Sequence, residues 1–151
     1  MNRLNLKTIT NKKNLKKITC LTAYTSSIAK IIDRHVDIIL IGDSVGTVIY
    51  GMENTQGVTL DMMMAHGKAV DKSSKRAFTM IDMPYHTYRT NKEALTNARK
   101  LLQFTNCQSV KLEADNKNIN IIKHLVKNKV KVITHIGVTP QDYKNFNKIR
   151  S

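Results

Sequence analysis

Tryptophan is absent from the 151 residues, and tyrosine and phenylalanine bring the aromatic share to only 5%. A single-strand nucleic-acid binder interleaves aromatics with its basic residues, so the net charge of +14 does not by itself point to nucleic acid. The lysines are scattered from Lys7 to Lys148 among asparagines and isoleucines, as on a solvated basic surface. No nucleic-acid partner is expected. Cysteine is scarce too: Cys20 and Cys107 lie far apart, without Cys-x-x-Cys spacing. That excludes a disulfide framework and a structural zinc site, and with no nearby base to form a thiolate, nucleophilic cysteine chemistry is a poor expectation. Long apolar runs are missing as well. The strongest is Ile38–Ile41, against the ~20 residues a membrane span needs, so no membrane partner is expected. The basic start, Met1 to Lys17, lacks the apolar centre of a secretory signal, which predicts a cytoplasmic protein. Gly42-x-x-x-Gly46 is neither a dinucleotide fingerprint nor a phosphate-binding loop, so nucleotide hydrolysis is unsupported.

What remains is ordinary globular composition, 41% apolar and 24% charged, in a length that suits one domain. Short β-branched runs alternate with longer helical ones, the pattern of repeated β-α units around a parallel sheet. Strands are predicted at Ile18–Thr22, Asp37–Ile41, Ala77–Ile81, Ser109–Leu112 and Val130–Thr134. Helices are predicted at Ser26–Arg34, Leu60–Lys75, Asn91–Asn106 and Ile119–Asn128, with Thr59 and Asn91 standing where N-caps belong. Ala94, Leu95, Ala98, Leu101 and Leu102 form one apolar stripe, and Met62-Met63-Met64 is read as core packing. Residues 42–57 make the longest connection, in which Val48-Ile49-Tyr50 could add a short strand. The organisation is therefore a basic N-terminal segment, 1–17, followed by part of a single barrel-type domain, 18–151. A closed (β/α)₈ barrel typically runs to about 250 residues, so about five units make an incomplete one, and the polar 143–151 segment is not expected to return to the sheet.

Acids are few, 11 against 25 basic residues, which makes their positions informative. Three stand at successive strand ends: Asp43 after the second strand, Asp82 after the third, Glu113 after the fourth. Barrel and open-sheet enzymes place their active sites there. One such residue alone is more simply an N-cap or half of an ion pair, but three converging carboxylates repel, and a hard divalent cation such as Mg²⁺ relieves that repulsion. Lys111 and Glu113, two apart on a strand, share a face, so Lys111 can hold a substrate carboxylate beside the proposed ligand. His135 ends the fifth strand as a hydrogen-bond donor or ligand candidate, whereas His35, His66, His86 and His124 show no ligand spacing.

These residues sit in an ordered series of motifs: Thr19-Cys20-Leu21-Thr22-Ala23-Tyr24, Ile41-Gly42-Asp43-Ser44-Val45-Gly46, Val58-Thr59-Leu60, Asp82-Met83-Pro84, Val110-Lys111-Leu112-Glu113 and His135-Ile136-Gly137-Val138-Thr139-Pro140-Gln141. Together they resemble the ketopantoate hydroxymethyltransferase family, from Ile18 to Gln141. The resemblance implies a (β/α)₈ barrel, a homo-oligomeric decamer of two stacked pentamers, and bound Mg²⁺. It implies transfer of a hydroxymethyl group from methylenetetrahydrofolate, the folate co-substrate, to 3-methyl-2-oxobutanoate, giving 2-dehydropantoate in pantothenate synthesis. The metal would chelate the keto acid and act as Lewis acid for its enolate. By motif, Asp43 and Asp82 are Mg²⁺ ligands, directly or through water, and part of the substrate site; Glu113 belongs to the same shell. Ser44 and Lys111 would bind the keto acid, and His135 would line the pocket near the reacting oxygen. The chain departs from the family pattern at Thr25, Gln56-Gly57, Ala114-Asp115 and Thr134. The family's proton-abstracting glutamate lies downstream of Thr-Pro-Gln, beyond Ser151. Two other readings stay open: a Mg²⁺-dependent 2-oxo-acid barrel enzyme of the phosphoenolpyruvate mutase and isocitrate lyase kind, and a non-enzymatic basic binding protein.

Overall fold

The structure, a computed structural model, describes residues 3–116 and 118–143. Most of the polar 143–151 segment lies outside the described residues. Five strands, β1 (Cys20–Thr22), β2 (Ile38–Ile41), β3 (Phe78–Asp82), β4 (Ser109–Glu113) and β5 (Val132–His135), form one sheet whose spatial order follows the chain. Every neighbouring pair is parallel. Parallel neighbours need crossovers, supplied by α2 (Ser26–Ile32), α4 (Leu60–Ser73), α5 (Asn91–Thr105) and α6 (Ile119–Lys127). A sheet built in sequence order by β-α units is the wall of a (β/α)₈ barrel, here its first five units.

The strands have two different faces because successive side chains alternate. Ile39, Ile41, Ile81, Val110 and Leu112 point to the helices, where they meet Ala29, Met63, Val70, Ala98, Leu101 and Leu125 in one buried cluster. Each fully buried aliphatic side chain here contributes roughly 1.5 to 3 kcal/mol relative to exposure. Gly67 lets α4 approach closely, since a Cβ there would come within 2.6 Å of Ile81 Cδ1 and 2.7 Å of Thr105 Cγ2. The apolar stripe of α5 behaves as expected: Ala94, Ala98 and Leu101 are fully buried, with Leu95 and Leu102 packed against the same cluster.

The opposite face looks into the barrel interior and carries Ile38, Phe78 and Met80. A short helix absent from the sequence reading, α1 (Leu6–Thr10), closes this interior from below by adding Ile9 to the cluster. Leu4 pins it from both sides: its N–H donates to Arg76 O at 2.8 Å, and Gln108 Nε2 donates to its carbonyl at 2.8 Å. The lower rim, at the amino ends of the strands, is thus sealed by the basic N-terminal segment. The two outer strands differ from the middle three. β1 and β5 pair on one side only, and Leu21 on β1 and Ile136 just after β5 are 52% and 75% exposed.

Two local expectations are corrected. Val48-Ile49-Tyr50 does not form a strand; Val45–Val48 is a helical turn, α3, and Ile49 and Tyr50 follow it with exposed side chains. Both edges of β2 are already occupied by β1 and β3, so an added strand there would have no partner. The N-cap of α5 is Thr90, not Asn91: Thr90 Oγ1 accepts from Glu93 N, while Glu93 Oε2 accepts from Arg89 N. This reciprocal arrangement satisfies two otherwise orphaned amides, which one Asn at the next position would not do. Thr59 does cap α4, accepting from Met62 N. Thr25, one of the departures from the family pattern, caps α2 by accepting from Ile28 N, a role open to either Asp or Thr.

Candidate active site

The upper rim, at the carboxyl ends of the strands, gathers the residues singled out by position. Asp82 ends β3, Lys111 and Glu113 lie on β4, His135 ends β5, and Asp43 and Ser44 follow β2 by two and three residues. The register sets their heights: Asp82 lies beside Lys111, and Glu113 beside His135. All four strand residues share the inward face. Gly42 makes the turn that brings Asp43 in, because a Cβ there would lie 2.8 Å from Ser44 Oγ and 3.5 Å from Asp82 Oδ2. The backbone can then place Asp43 N–H on Asp82 Oδ2 at 3.1 Å.

Each carboxylate is engaged by a neighbouring donor. Lys111 Nζ donates to Asp82 Oδ1 at 2.7 Å, so the ammonium expected to hold a substrate carboxylate is paired with an acid of the site, using one of its three donors. Glu113 takes the backbone N–H of Gln141 on both oxygens at 3.2 Å. Asp43 Oδ2 accepts from Gln141 Nε2 at 2.7 Å. Ser44 Oγ shares a 2.7 Å hydrogen bond with Tyr24 OH, and the Tyr24 carbonyl accepts from His66 Nδ1 at 2.7 Å. His135 Nδ1 stands 3.9 Å from Glu113 Oε1, beyond hydrogen-bond reach.

The electrostatics follow from burial with too few partners. Burial and the neighbouring Asp82 push Asp43 up to about 6, against the pull of Gln141, Lys111 and His135. Burial also raises Asp82, despite Lys111. Glu113 is pushed up to about 7 by burial, with Asp43 adding to the rise. His135 is lowered by burial and by Lys111, which favours its neutral form. Cys20 lies near Lys111 and Asp82, yet burial still raises its thiol, so a nucleophilic role stays unsupported.

Among the described residues no three His, Cys, Asp or Glu side chains are close enough to cage a metal unaided. What the rim offers is a crowded, all-oxygen set with one ammonium beside it. Three residues of this network carry no signal of their own in the sequence pattern: Tyr24, Tyr88 and Gln141. The last is buried and touches two of the carboxylates. A cavity of about 290 Å³ opens beside it, lined by Tyr85, Tyr88, Glu113, Asn118, Ile121 and Gln141 among others.

Fold and rim together define a (β/α) barrel protein with a carboxylate-rich site at the strand ends. The sequence model of the ketopantoate hydroxymethyltransferase family matches residues 3–151, and the chain belongs to that family. It is 52% identical over 135 residues to the 3-methyl-2-oxobutanoate hydroxymethyltransferase of Pelagibacter ubique, covering 89% of this chain and 52% of the relative. Similarity to the enzyme of the same name from Rhizobium etli is 46% over 150 residues, covering 99% of this chain and 55% of that one. The chain thus spans about half the length of the curated relatives it matches. Among solved structures, 2,3-dimethylmalate lyase, a PEP mutase/isocitrate lyase superfamily member, superposes with a TM-score of 0.61 at 11% identity, covering 89% of this chain and 51% of that one. Oxaloacetate acetylhydrolase superposes at 0.59 with 9% identity over 79% of this chain and 47% of its own. At such identities the likeness speaks to the fold alone.

Proposed function

We propose that this chain carries the metal and keto-acid part of a 3-methyl-2-oxobutanoate hydroxymethyltransferase site. The observation that carries the reading is the meeting of Asp43, Asp82 and Glu113 at one rim, two of them raised to about 6 and about 7. Such a set fits Mg²⁺, which takes oxygen ligands and is commonly held by one or two carboxylates while keeping waters. Asp43 and Asp82 would hold it and Glu113 would join through water; when bound, the ion supplies a Lewis acid for the keto oxygen and its neighbouring carboxylate.

Lys111 lies 2.7 Å from Asp82 and keeps two donors for an incoming carboxylate. Ser44, oriented by Tyr24, offers its hydroxyl to the same substrate. Neutral His135, 34% exposed in its side chain, faces the interior as a donor toward a keto oxygen on which negative charge builds when the C3 proton leaves. In the overall change, C3 of 3-methyl-2-oxobutanoate loses its proton and bonds to the methylene carbon of methylenetetrahydrofolate. One water is consumed, and 2-dehydropantoate and tetrahydrofolate are released.

The test is exchange of the C3 proton of 3-methyl-2-oxobutanoate in D₂O, followed by proton NMR, alongside calorimetric binding of the same keto acid with and without Mg²⁺. Binding that needs Mg²⁺ and disappears in Asp43→Ala is expected, and exchange, if the chain supplies a base, should vanish with chelator. Keto-acid binding indifferent to chelator would overturn the metal reading. Turnover of isocitrate or phosphonopyruvate, with no affinity for 3-methyl-2-oxobutanoate, would instead favour a 2-oxo-acid enzyme of the phosphoenolpyruvate mutase and isocitrate lyase kind, the alternative that the strand-end carboxylates leave open.

A further inference from the structure

Every polar atom of Gln141 has a partner. Its backbone N–H reaches both oxygens of Glu113 at 3.2 Å, and its carbonyl accepts from Gln56 Nε2 at 2.7 Å. Its side-chain nitrogen donates to Asp43 Oδ2 at 2.7 Å and to Met83 O at 3.1 Å, while its side-chain oxygen accepts from Tyr88 OH. The residue is 3% exposed and draws together four segments separated by as many as 98 positions in the chain.

The direction of the amide is dictated by its neighbours. Asp43 and the Met83 carbonyl can only accept, so the nitrogen must face them; the oxygen then faces Tyr88, whose hydroxyl is the donor that locks this orientation. Were the amide reversed, two acceptors would confront an oxygen inside a buried site. With the nitrogen in place, Oδ2 of Asp43 is engaged by the amide.

We propose that Gln141, oriented by Tyr88, is a positioning residue that aims the Asp43 carboxylate at a divalent cation and holds Glu113 in step with it, where Glu113 would join through water. This rests on the reading of Asp43 as a metal ligand. It assigns a task to the 139–142 turn: one residue joins the two acids, by its side chain on one and its backbone on the other. Outer partners of this kind typically change metal affinity about 10- to 100-fold when removed.

The experiment uses the 151-residue chain, Mn²⁺ as the probe read by electron paramagnetic resonance, and two variants. Gln141→Met keeps length and removes the amide; Tyr88→Phe keeps the amide and removes the donor that orients it. The expected result is weaker Mn²⁺ binding by about 10- to 100-fold in Gln141→Met and a smaller loss in Tyr88→Phe. A second readout needs no metal: the side-chain amide protons of Gln141 should exchange slowly with solvent in the parent chain and quickly in Tyr88→Phe. A merely structural role would lower the unfolding midpoint without moving the Mn²⁺ affinity of the folded protein. If Gln141→Met does not fold, Tyr88→Phe decides. Unchanged Mn²⁺ affinity in folded variants, or fast amide exchange in the parent, overturns the proposal. No Mn²⁺ binding by the parent with the amide still protected identifies the metal reading as the failure, and the proposal falls with it.

Discussion

At the lower rim Asp33 accepts hydrogen bonds from Ser74 Oγ at 2.6 Å and from the N–H groups of Lys75, Arg76 and Ala77; at the upper rim Asp43 shares its surroundings with a second aspartate. Both ends of the sheet bury three carboxylates, Asp33, Asp37 and Asp71 below, Asp43, Asp82 and Glu113 above. Below, each has partners in excess. Burial alone would raise Asp33, but Ser74 and three backbone donors outweigh it and leave the carboxyl below its ordinary value. Asp37 is likewise lowered, its burial overcome by Lys12 and Thr19, and Asp71 pairs with Arg3 at 2.6 Å. Above, burial wins and the acids are raised. The same chemical group thus serves as a structural anchor where donors surround it and as a poised site where they do not.

Removing an anchor should cost most. Asp33→Ala leaves three backbone donors and a hydroxyl unsatisfied at a buried position, and a loss of about 3 kcal/mol or more is expected in urea unfolding. The group's lowered carboxyl gives the sign: its contribution is present above the unfolded value near 3.8 and fades as pH falls below it, so the loss should be full at pH 8 and added Mg²⁺ should not restore it.

The upper rim should respond in the opposite direction. Asp43 is raised from 3.8 to about 6, so its favourable contribution is complete below about pH 4 and is lost as pH rises through 6. Asp43→Asn keeps the uncharged form at every pH and is expected to stabilise the metal-free chain at pH 8 by up to about 3 kcal/mol, with no gain at pH 4. Equal destabilisation at both pH values would contradict the comparison. The smallest effect is that of the cation itself. Mg²⁺ at about tenfold excess over its dissociation constant should stabilise the parent chain by about 1.4 kcal/mol at pH 8. That gain should shrink as pH falls through 7 and 6, where Glu113 and Asp43 take up protons, and be missing in Asp43→Asn; calorimetric unfolding scans at several pH values would read it.

Much of the fold is legible along the chain because each strand and helix writes its own period. Ile38–Ile41 is apolar on both faces and emerges as a buried strand, and α5 shows its stripe at three- and four-residue spacing. Local preference gives way where it meets an occupied neighbourhood. Val48, Ile49 and Tyr50 favour a strand by type, but the parallel neighbours of β2 leave no edge for one. Helix α1 is too short for a period to show; Asn5 caps it by accepting from Thr8 N, and the burial of Ile9 against Phe78 and Met80 holds it in place. Within the site, Asp43, Asp82, Glu113, Lys111 and His135 were visible as polar residues at strand ends. Gln141 was visible only as part of a motif, without a task.

What the sequence determined by itself is the succession of β-α units and the placing of an acid at three successive strand ends, because both depend on contacts within one element or between neighbouring ones. Only the tertiary structure decided which acids are satisfied and which are poised. Asp43 meets Gln141 across 98 positions and Leu4 meets Gln108 across 104. Such pairings have no period in the chain. They arise from the register of a sheet and the closing of its two rims, and it is there that the number of donors around each carboxylate, and so its charge, is set.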